Sequence, residues 1–214
     1  MKKMKLSLAS IIITGICYKR KGEDITEQLN CWRVERLLHW WYTFLVTNRR
    51  IGICRKGIMN LKLVRVSVED ARRLWEMQVE AFMELYNKYQ DTETSPATEP
   101  IDKIILRLEQ PFTYYYYIQV DNNIAGAIRV VDKKEEGKAK RISPVFVMPH
   151  YRNRGLAQKA ILEAEKIHGA SHWELDTILQ EEGNCHLYEK MGYCQTGQTK
   201  VINDKMTMVF YIKE

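Results

Sequence analysis

Residues 59–214 of this 214-residue chain read as a mixed α/β domain, a central and mostly antiparallel sheet flanked by about four helices. Three observations carry that reading. Residues 61–66 alternate apolar and polar, and 194–201 and 205–212 read as a closing hairpin, as strands at both ends require. Four stretches, near 67–88, 101–109, 156–168 and 181–191, read as helices. Between the second and third, three β-type runs follow one another across short polar turns, the pattern of an antiparallel meander.

Taken in order, the strand Leu61–Val66 leads to Ser67, which is expected to cap a helix with Asp70 three residues on. That helix runs to about Lys88 and is expected to bury Ala71, Leu74, Trp75, Val79, Phe82 and Leu85. Asp91–Pro100, with Pro96 and Pro100, is a polar loop, and Pro111 stops the helix Ile101–Glu109. Phe112–Val120 is a strand with four consecutive tyrosines, expected as two pairs on opposite faces. Asp121-Asn-Asn123 turns the chain into Ile124–Val131, and the charged Asp132–Lys138 returns it into Ala139–Val147. Trp173–Ile178 is a strand, and the helix Glu181–Met191 ends at Gly192, a suitable left-handed cap.

The formal charge is +6, and its distribution matters more than its size. Residues 1–58 hold 12 Lys/Arg against 4 Asp/Glu, whereas residues 59–214 hold 21 against 23. The body therefore lacks the basic surface that nucleic-acid binding needs, and no nucleic-acid partner is expected. Residues 1–58 form a separate basic extension that admits three readings: a signal-like segment, a membrane-surface anchor rich in Trp and Leu, or translation begun upstream of Met59 as the natural start. Its apolar run from Leu6 to about Cys17 is too short to span a bilayer. Membrane contact is expected only if this extension is native. Five cysteines without a C-x-x-C pair suit a reducing cytosol and imply neither a disulfide framework nor a metal site.

The chemistry concentrates at 145–168. A short apolar run ends at Pro149, a basic Gly-containing turn follows, and Leu156, Ala160, Ile161, Ala164 and Ile167 then share one helical stripe. The first N–H groups of a helix have no internal partner and sit at the positive end of its dipole. Gly155 lets backbone approach a ligand, and Arg152 and Arg154 offer charge-assisted hydrogen bonds. These features make a cradle for phosphate or pyrophosphate.

Arg152-Asn-Arg-Gly-Leu-Ala157 resembles the acetyl-CoA signature R/Q-x-x-G-x-G/A of the GNAT N-acetyltransferase superfamily. Thr177–Tyr193, with Leu187-Tyr-Glu-Lys-Met-Gly-Tyr193 at its core, resembles that family's second motif, and the order of elements over 59–214 is the family's order. The resemblance implies a sheet splayed at a cofactor cleft, with free backbone at Phe146 and Val147 to bond the pantetheine arm of acetyl-CoA. It implies that the amides of Arg152, Asn153, Arg154, Gly155, Leu156 and Ala157 hold the pyrophosphate. Asn153 stands where the family commonly has Gly, and Ala157 takes the place of the second Gly. It further implies that Asn184 contacts the cofactor, that Tyr188 protonates the departing thiolate, and that acetyl passes directly to a primary amine without an acyl-enzyme or a metal. The resemblance leads to the expectation of a small-molecule or peptide amine as acceptor, a cytoplasmic setting and, as the family allows, a homodimer.

Several points stay open in the sequence. No Glu on the predicted central strands stands out as a base, so deprotonation of the amine through water stands beside a named base. A catalytically silent CoA-binding regulatory module is the alternative function. Cys185 and His186 do not form a dyad, because neighbours on a helix point about 100° apart. His168 and His172 flank a helix end and read as surface groups or as partners of the C-terminal dipole.

Overall fold

Strand parity divides the core into two. The computed structural model describes residues 60–214. The readings of residues 1–58, and the boundary between 58 and 59, lie outside the described residues. In β2 (Thr113–Val120), Tyr115 and Tyr117 pack with α1 (Ala71–Tyr89) and α2 (Ile101–Glu109). Tyr116 and Ile118 pack instead with Ala160, Ile161 and Ala164 of α3 (Leu156–His168), and Tyr114 lies against the same cluster. The tyrosine run is thus split by a period of two, with one pair for each layer of helices.

Seven strands form one sheet in the order β1 (Leu61–Arg65), β2, β3 (Asn123–Val131), β4 (Lys140–Val147), β5 (Trp173–Ile178), β7 (Met206–Lys213), β6 (Cys194–Asn203). All neighbours are antiparallel except β4 and β5. The second strand of the closing hairpin enters beside β5, and the first becomes the exposed edge. The helix α4 (Glu182–Lys190) joins α3 on its face through Cys185 and Tyr188. Among the described residues no helix is long and apolar enough to cross a membrane.

The parallel pair is short. β4 and β5 are in register only at Lys140–Trp173, Arg141–Glu174 and Ile142–Leu175. Directly beyond, β4 is bulged: Val130 pairs with Ile142 and Ile128 with Val145, so Ser143 and Pro144 together oppose Arg129. The extra residue reverses the parity of the strand. Ile142 faces the α3 layer, whereas Phe146, four residues on, faces α1 and meets Phe82 edge to face at 5.8 Å between centroids. Pro144 brings no N–H to a ladder, and Arg129 Nη1 donates to the Ser143 carbonyl at 2.8 Å. The sheet opens at this bulge.

Three expectations are corrected. Ser67 starts a short 3-10 turn, Val68–Asp70, and its side chain caps no backbone N–H; its hydroxyl lies 3.4 Å from Asp70 Oδ2. The α1 stripe buries Gln78 rather than Val79, because the 3–4 spacing from Leu74 to Ala81 passes through 78. The Gln78 amide nitrogen donates there to the Pro96 carbonyl at 2.9 Å and to Glu99 at 3.1 Å. His168 is not a surface group: its side chain is 2% exposed and bridges the Tyr116 hydroxyl at 3.0 Å and Asp132 at 2.9 Å. Burial pushes its imidazole below the ordinary range, only partly offset by Asp132.

Gly126 lets β3 and β4 meet at this point. A Cβ there would lie 2.1 Å from the backbone oxygen of Phe146, and no rotamer relieves a clash with backbone. Gly126→Ala is expected to lower unfolding free energy by roughly 1–3 kcal/mol, as overpacking does. Urea unfolding checks this, and unchanged stability would show that the strands slide apart freely.

Candidate active site

The opening between β4 and β5 leaves backbone without a sheet partner. Met148 N–H bonds the Ala125 carbonyl at 2.8 Å, and the register pairs Ala127 with Phe146 and Gly126 with Val147. Antiparallel pairs alternate between hydrogen-bonded and non-bonded, so Phe146 directs its N–H and C=O to Ala127. Val145 and Val147 direct theirs away, into the gap that β5 has left. The outward peptide groups are therefore those of 145 and 147. Phe146 contributes its buried ring. Val145 was not singled out in the sequence, because only the register reveals which residues of a strand face outward.

The turn after β4 presents a second set of free groups. Gly155, at φ 69°, is the N-terminal cap of α3, and the first helical bond runs from Lys159 N–H to the Gly155 carbonyl at 3.1 Å. The amides of Gly155, Leu156, Ala157 and Gln158 thus precede any internal partner and sit at the positive end of the helix. Asn153 adopts φ 60°, a left-handed conformation that Asn tolerates better than most residues. Open space surrounds the position that a Cβ on Gly155 would take. The Arg152 N–H, by contrast, is already bonded to the Pro149 carbonyl at 3.2 Å.

The two arginines of the turn do different work. Arg152 reaches across to α1, donating to the Ala81 carbonyl at 2.8 Å and to Glu84 at 2.6 Å, and its Nε lies 3.3 Å from the Val147 carbonyl. It ties the turn to both neighbouring elements. Arg154 folds back on the turn itself, donating to the His150 carbonyl at 3.1 Å with its guanidinium 5.5 Å from the Tyr151 ring centroid. It does not line the adjoining cavity, whereas Gln158, absent from the sequence reading, does.

That cavity, about 530 Å³, runs past Val145, Val147, Asn153, Gly155 and Ala157. A second, about 300 Å³, lies toward the Asp91–Pro100 loop and is lined by Asp91, Glu99, Arg107 and Asp176. Val145, Asn184, Tyr188, Phe82 and Leu85 line both. Asn184 is an exposed residue in the first turn of α4, its N–H bonded to the Glu181 carbonyl at 2.9 Å. Tyr188, one turn on, is buried against Tyr193 and Tyr211. Burial pushes its hydroxyl pKa above the ordinary phenol value, and the charges of Asp176 and Cys185 add to the shift. The two cavities thus meet at Val145, Asn184 and Tyr188.

A family model described as "Acetyltransferase (GNAT) family" matches residues 71–193. Among solved structures, the PaiA N-acetyltransferase of Thermoplasma acidophilum in complex with coenzyme A is similar at 16% identity and TM-score 0.55, over 73% of this chain and 100% of that one. The spermidine N-acetyltransferase of Vibrio cholerae, in complex with CoA and spermine, is similar at 16% identity and TM-score 0.57, over 72% and 95%. The microcin C7 self-immunity acetyltransferase MccE, in complex with acetyl-CoA and AMP, is similar at 14% identity and TM-score 0.55, over 71% and 90%. At these identities the likeness concerns the fold.

The contrast between the arginines is measurable. Arg152→Ala is expected to lower stability by about 1 kcal/mol, since the exposed pair with Glu84 adds little and the bonds to backbone carbonyls are lost. Arg154→Ala should stay within about 0.5 kcal/mol of wild type. Equal effects in denaturant unfolding would contradict the assignment.

Proposed function

This chain belongs to the GNAT acetyltransferase family, and from that premise we propose that it transfers acetyl from acetyl-CoA directly to a primary amine. The observation that carries the reading is the meeting of the two cavities at Val145, Asn184 and Tyr188. The larger cavity has the features that a CoA thioester requires. Outward peptide groups at Val145 and Val147 bond the pantetheine arm as an added strand would, and the amides from Asn153 to Gln158 receive the pyrophosphate. Asn184 holds the arm from the opposite wall.

The smaller cavity receives the amine. Three carboxylates and one guanidinium line it, with Phe82, Tyr86 and Tyr89 as aromatic wall, which suits a cationic acceptor. Cys185 lines neither cavity, in keeping with direct attack rather than an acyl-enzyme. Tyr188 donates its phenolic proton to the departing sulfur. A thiol ordinarily titrates near ~8.5 and a phenol near ~10. Burial raises the phenol further, and the same loss of water makes the nascent thiolate more basic, so the pair stays matched. Cysteines without a C-x-x-C pair support a cytosolic setting.

Two variants test this. Tyr188→Phe is expected to lower kcat about 10²- to 10⁴-fold while acetyl-CoA affinity is retained. Gly155→Glu, which puts a charged side chain at a left-handed position inside the cradle, should abolish acetyl-CoA binding in calorimetry. Thermal stabilisation by acetyl-CoA with no turnover on any amine would favour a CoA-binding module instead.

A further inference from the structure

The acceptor amine arrives as an ammonium, which has no lone pair, so something must take its proton before attack. Three carboxylates line the amine-side cavity, and their bonding separates them. Asp91 uses Oδ1 for the N–H groups of Glu93 and Thr94, both at 2.9 Å, and Oδ2 for the Thr94 hydroxyl at 2.6 Å. It is a loop cap. Glu99 has both oxygens on Arg107, at 2.6 and 2.7 Å, with Gln78 a further donor at 3.1 Å. It is a bidentate ion pair. Asp176 meets one side-chain donor among the described residues, Arg141 at Oδ1, and no described side chain engages its Oδ2.

Its position follows from the sheet. β5 leaves β4 after Leu175, so Asp176 is its first residue past the parallel pairing. Trp173 and Leu175 face the α3 layer, and Asp176 alternates to the other side, onto the amine cavity shared with Tyr188. We propose that Asp176 is the general base of the acetyl transfer, taking a proton from the bound ammonium directly or through one water. The proposal rests on the transferase reading above.

The protons balance. The nitrogen sheds two between ammonium and amide. Asp176 takes the first and passes it to solvent, which frees the lone pair to form the C–N bond. The C–S bond breaks with its electron pair going to sulfur, and Tyr188 protonates the thiolate. The second nitrogen proton replaces the one Tyr188 has given. The surroundings of Asp176 suit the task. Burial raises its carboxyl above the ordinary carboxylate range, with Arg141 opposing and Glu174 adding to the rise. Tyr188 faces it from α4, Tyr86 and Tyr89 from α1, Asp91 from the following loop, and the Glu99–Arg107 pair across the cavity; Phe210, its partner on β7, carries no charge. A base poised nearer the working pH accepts a proton more effectively.

The test is the pH dependence of kcat/KM for acetyl-CoA and a small diamine, with wild type, Asp176→Asn and Asp176→Glu. Wild type should show an acid limb above the ordinary carboxylate range. Asp176→Asn should lose at least ~100-fold in kcat, lose that limb and keep acetyl-CoA affinity, and Asp176→Glu should restore the limb with a reduced kcat. A 13C-carboxyl titration of Asp176 in wild-type protein gives the same pKa without relying on how the Asn variant folds. An unaffected Asp176→Asn, a loss confined to KM with the limb intact, or a titration that departs from the kinetic limb would overturn the proposal alone. A wild type that binds acetyl-CoA but acetylates no amine would overturn the transferase reading, and this proposal with it.

Discussion

The site depends on the failure of two strands to stay paired. β4 and β5 run parallel for three residues, and then the bulge at Ser143-Pro144 turns β4 off its line. Without the bulge, the strands would zip onward and the peptide groups of Val145 and Val147 would be engaged in the sheet. With it, the outward row of β4 faces a gap instead of β5, and backbone without a sheet partner demands another one, as the Val147 carbonyl finds in Arg152. Arg129 steadies the bulge by bonding the Ser143 carbonyl, and Gly126 allows the next stretch of backbone to close up against Phe146.

The helices then fill the gap from either side without closing it. The α3 N-terminus supplies the positive end of a dipole, held in place through Arg152 to α1. Tyr188 enters from α4, its ring fixed by Tyr193 and Tyr211, while Asp176 enters from β5 on the opposite face. The proposed proton acceptor and proton donor thereby stand on different elements around one opening. Burial raises both pKa values, which in the proposed mechanism keeps the acid protonated and brings the base closer to neutrality.

Much of the fold was legible along the chain. The four tyrosines of β2 announced a strand buried on both faces, and the Gly-containing turn 152–157 announced the start of a helix, because both signals are local. Signals that depend on register were not. Val145 replaced Phe146 as an outward-facing peptide since only the pairing with Ala127 settles which way each group points. Asp176 looked like one polar residue in an apolar strand, and its access to a cavity arises from where β5 leaves β4. His168 looked like a solvated helix end until Tyr116 and Asp132, distant in sequence, closed around it.

The amino-acid sequence by itself determined the order of elements, the split of charge between the first 58 residues and the rest, and the two motifs that mark the family. These are written in periodicity, in short-range turn chemistry and in residue identity, which act over a few positions. Tertiary structure alone decided that β7 rather than β6 lies against β5, that Arg152 ties the turn down while Arg154 folds back on it, and that Arg141 meets Asp176 at Oδ1. Each of those outcomes depends on which partner reaches a group first in space, and no local pattern encodes a competition between residues far apart in the chain.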